Sequence, residues 1–322
     1  MDGREFDAPG RCPDCGMTLA PKDEANLGRE PARLLPGAGR YAFAGVNGAD
    51  IAVRYYMPPN FTAASPILLV IPGAGRDDCE DRIAWLDSSR AAGVLVAALG
   101  YPEADYDFAA YHMGGVVRNL SFRNPRVERL NDRAVVVRLR DEDIAFDVAP
   151  DRDGWLFVDF DRVFDHLVAA SGSTRDRYDV FGHSAGGQIL HRMAIFRPEA
   201  KADRIVAANA GFYTFPDFSR PLPSGLAGTP LTDDDLRAAF RRKLTILLGE
   251  RDDNDRAGGT LLRTPLVDQQ GPGRLQRGRR FHAFCAAKAR ELGVASAWRV
   301  KTVPGVGHDF EGMTRAAAKL MY

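Results

Sequence analysis

The sequence predicts an α/β protein in which helices cover both faces of a mostly parallel sheet. Short, continuous apolar runs such as Ile67–Ile71 and 94–99 have the length of strands buried on both faces, which is typical of parallel sheets. These runs alternate with segments whose apolar residues recur at helical spacing, and that alternation indicates βαβ units. The 322-residue chain is 45% hydrophobic and 27% charged, so it can bury a sizeable core.

The first 39 residues differ from the rest. They hold several prolines and glycines and no periodic apolar face, so we expect an extended arm over 1–39 and one domain over 40–322. From Tyr41, two alternating runs in "YAFAGVNGADIAVRYY" flank the dipeptide Asn47-Gly48, the strongest short signal for a hairpin. This hairpin adds antiparallel strands at one edge of the sheet.

The remaining elements follow in alternation. Five apolar residues spaced i, i+3, i+4, i+7 and i+8 mark an amphipathic helix: Phe160, Val163, Phe164, Leu167 and Val168. The other predicted elements are a helix at 80–92, the strand "YDVFG", the helix "GGQILHRMAIF", the strands "RIVAANAG" and "KLTILLGE", the helix "FHAFCAAKARELG", the strand "AWRVKTVPG" and the helix "EGMTRAAAKLM".

Two stretches break this alternation. Residues 101–154 are polar and charge-rich, and residues 212–235 are rich in Pro, Gly and Ser. We interpret both as inserts on the carboxyl edge of the sheet, where open α/β sheets bind their ligands.

Charge and composition exclude several classes of partner. Lys+Arg and Asp+Glu both total 43, so no bulk charge attracts nucleic acid or an anionic membrane. No run approaches the roughly 18 apolar residues of a membrane span, and the N-terminus lacks the apolar segment of a secretory signal. Four cysteines do not make a disulfide framework. We expect a cytoplasmic protein with reduced thiols.

The segment "GHSAG" at 182–186 has the form G-x-S-x-G and lies between a predicted strand and a predicted helix. A nucleophile elbow needs this order of strand, strained turn and helix, with small neighbours that let the strand and helix close around the serine. The pattern therefore favours Ser184 as a nucleophile. The alternative is a Gly-rich connection whose serine is an ordinary N-cap.

A nucleophilic serine needs a base to take its proton. Three histidines follow Ser184. His191 lies two turns into the next helix and His282 lies early in another, whereas His308 lies in "VPGVGHD", a loop directly after the last strand. Such a loop lies at the carboxyl end of its strand, so His308 is the predicted base. The alternative is a loop histidine exposed to solvent.

An acid must orient that base, and the segment "KLTILLGERDDNDR" provides candidates where its strand ends. We choose Asp252, with Asp253 and Asp255 as close rivals. The alternative is that the whole cluster is a solvated turn.

Backbone N–H groups should stabilise the oxyanion. Ala185 follows the nucleophile, and the loop in "VIPGAGRDD" offers the amide of Ala74 or Gly73; the alternative is a simple tight strand–helix connection. After a later strand, Phe212 and Tyr213 are candidate substrate contacts in an acyl pocket, or they pack an insert onto the sheet.

The chain from about 41 to 322 resembles the α/β-hydrolase superfamily, and within it the bacterial poly(3-hydroxybutyrate) depolymerases and small esterases. The resemblance lies in "FGHSAGGQILHR", "AANAGFYTFPD", "LLGERDDND" and "VPGVGHD". It implies an eight-stranded sheet, a Ser184–Asp252–His308 triad and no cofactor. Many members have a His-Gly pair before the oxyanion loop; Pro72 stands in that His position here, so the role of that His does not carry over.

These observations predict hydrolysis of a small-molecule or oligomeric carboxylic ester through an acyl-enzyme. Other acyl-transfer chemistry on the same residues, by a peptidase, a thioesterase or an acyltransferase, is one alternative, since a fold does not settle the substrate. A catalytically inert, metal-responsive scaffold is another.

The arm carries the feature on which that last alternative depends. "PGRCPDCGMTLAP" is similar to the second half of heavy-metal-binding motifs, and Cys12, Cys15 and Met17 offer soft sulfur ligands. The first half of the motif is absent, and two thiols cannot close a four-ligand zinc site. Besides metal binding, two interpretations of this segment stay open: a remnant of a metal-binding knuckle or a reactive pair of thiols. We assign no metal ligand to the active site.

Overall fold

The computed structural model describes residues 28–322. The strands in this range are β1 (Gly37–Ala44), β2 (Asp50–Met57), β3 (Ile67–Ile71), β4 (Leu95–Gly100), β5 (Val117–Phe122), β6 (Arg126–Arg129), β7 (Ala134–Arg138), β8 (Ile144–Val148), β9 (Tyr178–His183), β10 (Ala202–Ala208), β11 (Lys243–Gly249), β12 (Gly259–Arg263) and β13 (Arg299–Val303). The α-helices are α1 (Asp78–Ile83), α2 (Leu86–Ala92), α3 (Phe157–Ser171), α4 (Ala185–Phe196), α5 (Asp233–Phe240), α6 (Pro265–Asp268), α7 (Arg274–Glu291) and α8 (Phe310–Met321).

Eight strands form the central sheet, in the order β1-β2-β4-β3-β9-β10-β11-β13. β1 pairs with β2 and β2 with β4 in antiparallel fashion, while every later neighbour is parallel. The predicted α/β class and the antiparallel edge are therefore confirmed. The parallel arrangement brings the carboxyl ends of β3, β9, β10, β11 and β13 to one edge of the sheet.

Both faces of the sheet are covered, which explains the continuous apolar runs of the sequence. Successive side chains of a strand point to opposite faces. In β3, Ile67, Leu69 and Ile71 accordingly pack in the larger core with α3, α4 and α7. The intervening Leu68 and Val70 pack in a second core with α8. All five residues of β3 are buried.

The helix predicted at 80–92 is instead two helices, α1 and α2, separated at Ala84 and Trp85. The break places the Trp85 ring, which is fully buried, edge-on to Phe181 at 5.2 Å between centroids. Burial of a large aromatic side chain outweighs the continuity of one short helix.

The two irregular stretches contain more regular structure than their composition indicates. Strands β5 and β8 pair with each other, and β6 and β7 form a hairpin. β12 comes from far along the chain and pairs with β7 in parallel register. α5 begins inside the second stretch, where Thr232 and Asp235 form a capping box.

The amphipathic α7 turns Phe281, Cys285 and Ala289 into the core, and the chain leaves it through Gly293 at a φ of +70°. Like α7, the other helices between residues 28 and 322 lack the combination of length and apolar character that crossing a membrane requires.

Candidate active site

Ser184 lies on a sharp turn between β9 and α4. Its φ of +57° and ψ of −112° belong to a region that residues with a Cβ seldom adopt. The turn is held on both sides: the Ser184 N–H donates to Ala208 O at 2.9 Å, and Ser184 O accepts from the Gln188 N–H at 3.0 Å. Backbone strain of this kind persists only where the surroundings impose it.

Two glycines allow β9 and α4 to meet this closely. A Cβ on Gly182 would lie 2.6 Å from the carbonyl carbon of Gly186, and a Cβ on Gly186 would lie 2.1 Å from Ile71 O. The obstructing atoms belong to the backbone and cannot swing away. The glycines of the G-x-S-x-G segment are therefore required by the packing of β9, α4 and β3.

Ser184, His308 and Asp252 form one hydrogen-bonded chain at the carboxyl edge of the sheet. His308 Nε2 lies 3.1 Å from Ser184 Oγ, and His308 Nδ1 lies 2.8 Å from Asp252 Oδ2. With its proton on Nδ1, the imidazole donates to the carboxylate and leaves Nε2 free to accept from the serine hydroxyl. These three residues come from the loops that follow β9, β11 and β13.

Asp252 differs from its two rivals in its surroundings. Its side chain is fully buried, and Oδ1 accepts from Arg274 Nη1 at 2.9 Å. Asp253 is exposed, and Asp255 faces Arg263 at 3.4 Å. Of the three aspartates, Asp252 is the one in contact with His308.

The electrostatics of this chain favour a neutral imidazole beside an ionised carboxylate. Burial by itself would raise the pKa of Asp252, but the hydrogen bond from His308 and the Arg274 charge outweigh burial and lower this pKa. Burial lowers the pKa of His308, the Arg274 charge lowers it further, and Asp252 opposes both; the net pKa lies below that of a free imidazole. His308 can therefore act as a base at neutral pH.

The loop at 73–75 borders the serine. A Cβ on Gly73 would lie 3.8 Å from the Ser184 Cβ, and Ala74 is exposed at the site. A hydrogen bond fixes the start of this loop, since the Tyr111 hydroxyl donates to Pro72 O at 2.6 Å. Across from it, the Ala185 N–H belongs to the first turn of α4, where amides have no intrahelical acceptor. Two sources of backbone donors thus flank Ser184.

The two aromatic candidates for substrate contact lie in different surroundings. Tyr213 is fully buried and stacks on Phe281 at 4.6 Å between centroids, so it packs in the core rather than along a cleft. Phe212 is also buried, beneath the Arg192 guanidinium, and borders an apolar cavity. The other residues that line this cavity are Phe108, Met113, Val117, Leu120, Phe122, Ile144, Phe146, Pro223 and Leu262.

The two histidines that were not chosen as the base, His191 and His282, form hydrogen bonds away from Ser184. His191 Nε2 accepts from the Thr214 N–H at 3.0 Å inside the core, and His282 Nε2 lies 3.3 Å from Trp298 O.

Two residues that contact the site were missed by the sequence analysis. Arg274, the first residue of α7, pairs with Asp252, and Asn209, directly after β10, contacts the loop that carries His308. The one feature of the sequence that could have indicated these two residues is their position beside the end of a strand or helix.

Cys12 and Cys15 lie outside the described residues. Between residues 28 and 322, no group of three or more His, Cys, Asp or Glu side chains is arranged to hold a metal ion. The family model described as "heavy metal binding domain" matches residues 1–22.

Solved structures resemble the chain over most of its length. Poly(aspartic acid) hydrolase-1 from Sphingomonas sp. KT-1 is 35% identical, with a TM-score of 0.77 over 89% of this chain and 99% of that one. LpqC, a poly(3-hydroxybutyrate) depolymerase from Bordetella parapertussis, is 26% identical, with a TM-score of 0.75 over 89% of this chain and 91% of that one. No sequence among the curated proteins matches significantly.

Proposed function

Because this chain belongs to the α/β-hydrolase family, we propose that it is a serine hydrolase that cleaves a carboxylic ester through an acyl-enzyme. The observation that carries the proposal is the hydrogen-bonded chain from Ser184 Oγ through His308 to the buried Asp252 carboxylate. This is the order of contacts that a serine nucleophile, its base and its orienting acid require. The substrate is a small-molecule or oligomeric ester.

In the first half of the reaction, Ser184 Oγ attacks the ester carbonyl carbon while His308 Nε2 takes the hydroxyl proton. The imidazolium that forms lies against the Asp252 carboxylate, which stabilises its charge and keeps the proton of Nδ1 in place. His308 then gives its proton to the leaving alcohol as the carbon–oxygen bond breaks, and the acyl group stays on Ser184.

The negative charge that develops on the carbonyl oxygen needs preorganised donors. The Ala185 N–H supplies one, at the N-terminus of α4, where the helix dipole also favours negative charge. The amide of Ala74 or Gly73 supplies the other, from the loop that borders Ser184.

In the second half, water attacks the acyl carbon and His308 takes its proton. The tetrahedral intermediate collapses, the proton returns to Ser184 Oγ, and the carboxylic acid leaves. Removing Ser184 or His308 therefore disables both halves.

Labelling of Ser184 tests this proposal directly. A fluorophosphonate probe should phosphonylate wild-type protein at one residue, Ser184, as read by peptide mass spectrometry. Ser184→Ala should show no adduct. Labelling at another residue, or no labelling of folded wild-type protein, would contradict the mechanism, and the second result would favour an inert hydrolase body.

Amide hydrolysis is a second candidate, and one observation favours it: the 35% identical relative is named for poly(aspartic acid), whose units are joined by amide bonds, whereas the 26% identical one is named for a polyester. Initial rates on p-nitrophenyl acetate, butyrate and octanoate, compared with the matching p-nitroanilides, separate the two. We expect turnover of the esters. Turnover of poly(aspartic acid) with none of poly(3-hydroxybutyrate) would instead support amide hydrolysis.

A separate proposal concerns the arm. The heavy-metal-binding match to residues 1–22 supports binding of a soft metal ion by Cys12 and Cys15, with Met17 as a third sulfur ligand. Titration of the wild-type protein with Cu(I) against a chromogenic chelator should show that the protein takes the ion from the chelator. Binding should be lost in Cys12→Ser/Cys15→Ser, while esterase activity persists.

A further inference from the structure

Asn209 lies at the centre of the loops that carry the site. It directly follows β10, which lies between β9 and β11 in the sheet. Its side chain is fully buried, and its φ is +45°, a value that asparagine tolerates better than most residues. The Asn209 N–H donates to Leu247 O at 3.0 Å, which ties its backbone to β11.

The side-chain amide of Asn209 contacts a residue that lies one to three positions before each of the three site residues. Oδ1 accepts from the Gly249 N–H at 2.7 Å, at the end of β11 and three residues before Asp252. Nδ2 donates to Gly307 O at 3.0 Å, one residue before His308. The same Nδ2 lies 3.4 Å from Nε2 of His183, one residue before Ser184.

These contacts occur where the sheet stops providing hydrogen bonds. Gly249 is the last residue of β11, and Gly307 lies beyond the end of β13. Buried backbone groups at such ends need partners, and an amide offers both an acceptor and two donor protons. The approach is close: a Cβ on Gly249 would lie 2.6 Å from Gly307 O. Asn209 therefore fixes the spacing between the acid turn and the histidine loop together with two direct contacts: the Arg251 N–H donates to Val306 O at 2.8 Å, and the Gly305 N–H donates to Glu250 Oε2 at 2.8 Å.

We propose that Asn209 is a positioning residue that keeps His308 within reach of Ser184 by holding the Gly307 carbonyl against the end of β11. This inference rests on the proposed function, because it assigns Asn209 a role in the reaction of Ser184. Asn209 touches neither the substrate nor the serine hydroxyl in this role; it acts through the loop that carries His308.

Two variants at this position distinguish the effect of the Asn209 side-chain amide from the effect of its backbone conformation. Asn209→Gly keeps a residue that accepts a positive φ and removes the whole amide. Asn209→Asp keeps an acceptor for the Gly249 N–H but, when ionised, cannot donate to Gly307 O. The matched control is Gln270→Ala, since Gln270 is also buried and its amide also bridges two backbone groups, the N–H and C=O of Tyr213.

Steady-state kinetics on p-nitrophenyl acetate should show the role. We expect kcat to fall about 100-fold in both Asn209 variants, because a misplacement of about 1 Å has an effect of this size, while KM stays within about threefold. Gln270→Ala should lose thermal stability to a similar extent and keep kcat close to wild type. Folded Asn209 variants with kcat within about threefold of wild type would overturn the inference.

A readout that needs no activity distinguishes this inference from the proposed function. The proton shared by His308 and Asp252 should give a far-downfield ¹H resonance in wild type and Gln270→Ala, and the resonance should be lost in Asn209→Gly. A wild type that shows the resonance but resists fluorophosphonate contradicts the proposed function. An undiminished resonance in Asn209→Gly overturns the positioning role even if wild-type Ser184 is labelled.

Discussion

Arg274 and Asp252 form an ion pair that is closed off from solvent. Arg274 Nη1 lies 2.9 Å from Asp252 Oδ1, and the two side chains are 1% and 0% exposed. The other carboxylate oxygen, Oδ2, faces His308 Nδ1 at 2.8 Å. Arg274 is anchored a second time, because its Nη2 donates to Thr260 O at 3.0 Å. One carboxylate therefore neutralises a buried cation and orients the imidazole.

Burial of His308, and after it the charge of Arg274, predict the pH dependence of activity. The pKa of His308 is lowered, so its neutral form persists below the ordinary imidazole value of about 6.5. The acid limb of kcat/KM, measured on p-nitrophenyl acetate, should have its midpoint below that value. Arg274→Gln removes a cation that disfavours the imidazolium, so the midpoint should move to higher pH.

Arg274→Lys is the control for that shift, because it keeps the positive charge and loses the forked geometry. Its acid limb should stay closer to wild type. The groups that face His308 are Asp252, Arg274, Asp309 and the ring of His183, which lies 4.6 Å away between centroids. An acid limb that does not move in folded Arg274→Gln would show that the guanidinium does not influence the base.

The neighbouring aspartates Asp252 and Asp253 should differ sharply when each is neutralised. Asp252→Asn should lower kcat about 10⁴-fold, because the amide favours the wrong imidazole tautomer. Asp253→Asn should stay within about threefold of wild type, since surface substitutions away from special contacts have small effects and Asp253 is exposed. Rates on p-nitrophenyl acetate provide the comparison. Equal losses in both variants would rule out Asp252 as the specific orienting acid.

The strained backbone of Ser184 predicts a conflict between stability and activity. Ser184→Ala and Ser184→Gly both lack the hydroxyl, but only glycine accepts a φ of +57° freely. Relief of strain should exceed the entropy that glycine gains on unfolding, so we expect Ser184→Gly to be the more stable by about 1 kcal/mol in urea denaturation. At Ser88, inside α2, the order should reverse because alanine is the better helix former. A Ser184→Ala protein at least as stable as Ser184→Gly, with alanine also favoured at Ser88, would mean that Ser184 is unstrained.

Gly186 should tolerate no side chain. The Cβ of alanine would lie 2.1 Å from Ile71 O, so β3 and α4 would have to separate. We expect Gly186→Ala to lower the free energy of unfolding by at least about 1 to 3 kcal/mol and to slow fluorophosphonate labelling. Gly28→Ala is the control, because among residues 28–322 no heavy atom outside its chain neighbour lies within 4 Å of its added Cβ. A Gly186→Ala protein with the wild-type unfolding midpoint would contradict this packing.

The α/β class, most of the strands and the position of the strained serine could be predicted from the sequence, because each depends on residues close together in the chain. A buried parallel strand appears as a short apolar run, and the elbow is a pattern five residues long. The break between α1 and α2 was not predictable in this way, since Trp85 turns toward Phe181, which lies far along the chain.

The sequence by itself thus determined the elements and the small set of side chains from which a site could be built, because hydrophobic periodicity and turn chemistry are local. Only the tertiary structure decided which aspartate contacts His308, that β12 joins β7, and that Arg274 and Asn209 contact residues of the site loops. Arg274 is 22 residues from Asp252, and Asn209 is 98 residues from Gly307. Contacts over such separations follow from how the strands are ordered in the sheet, and no local pattern encodes that order.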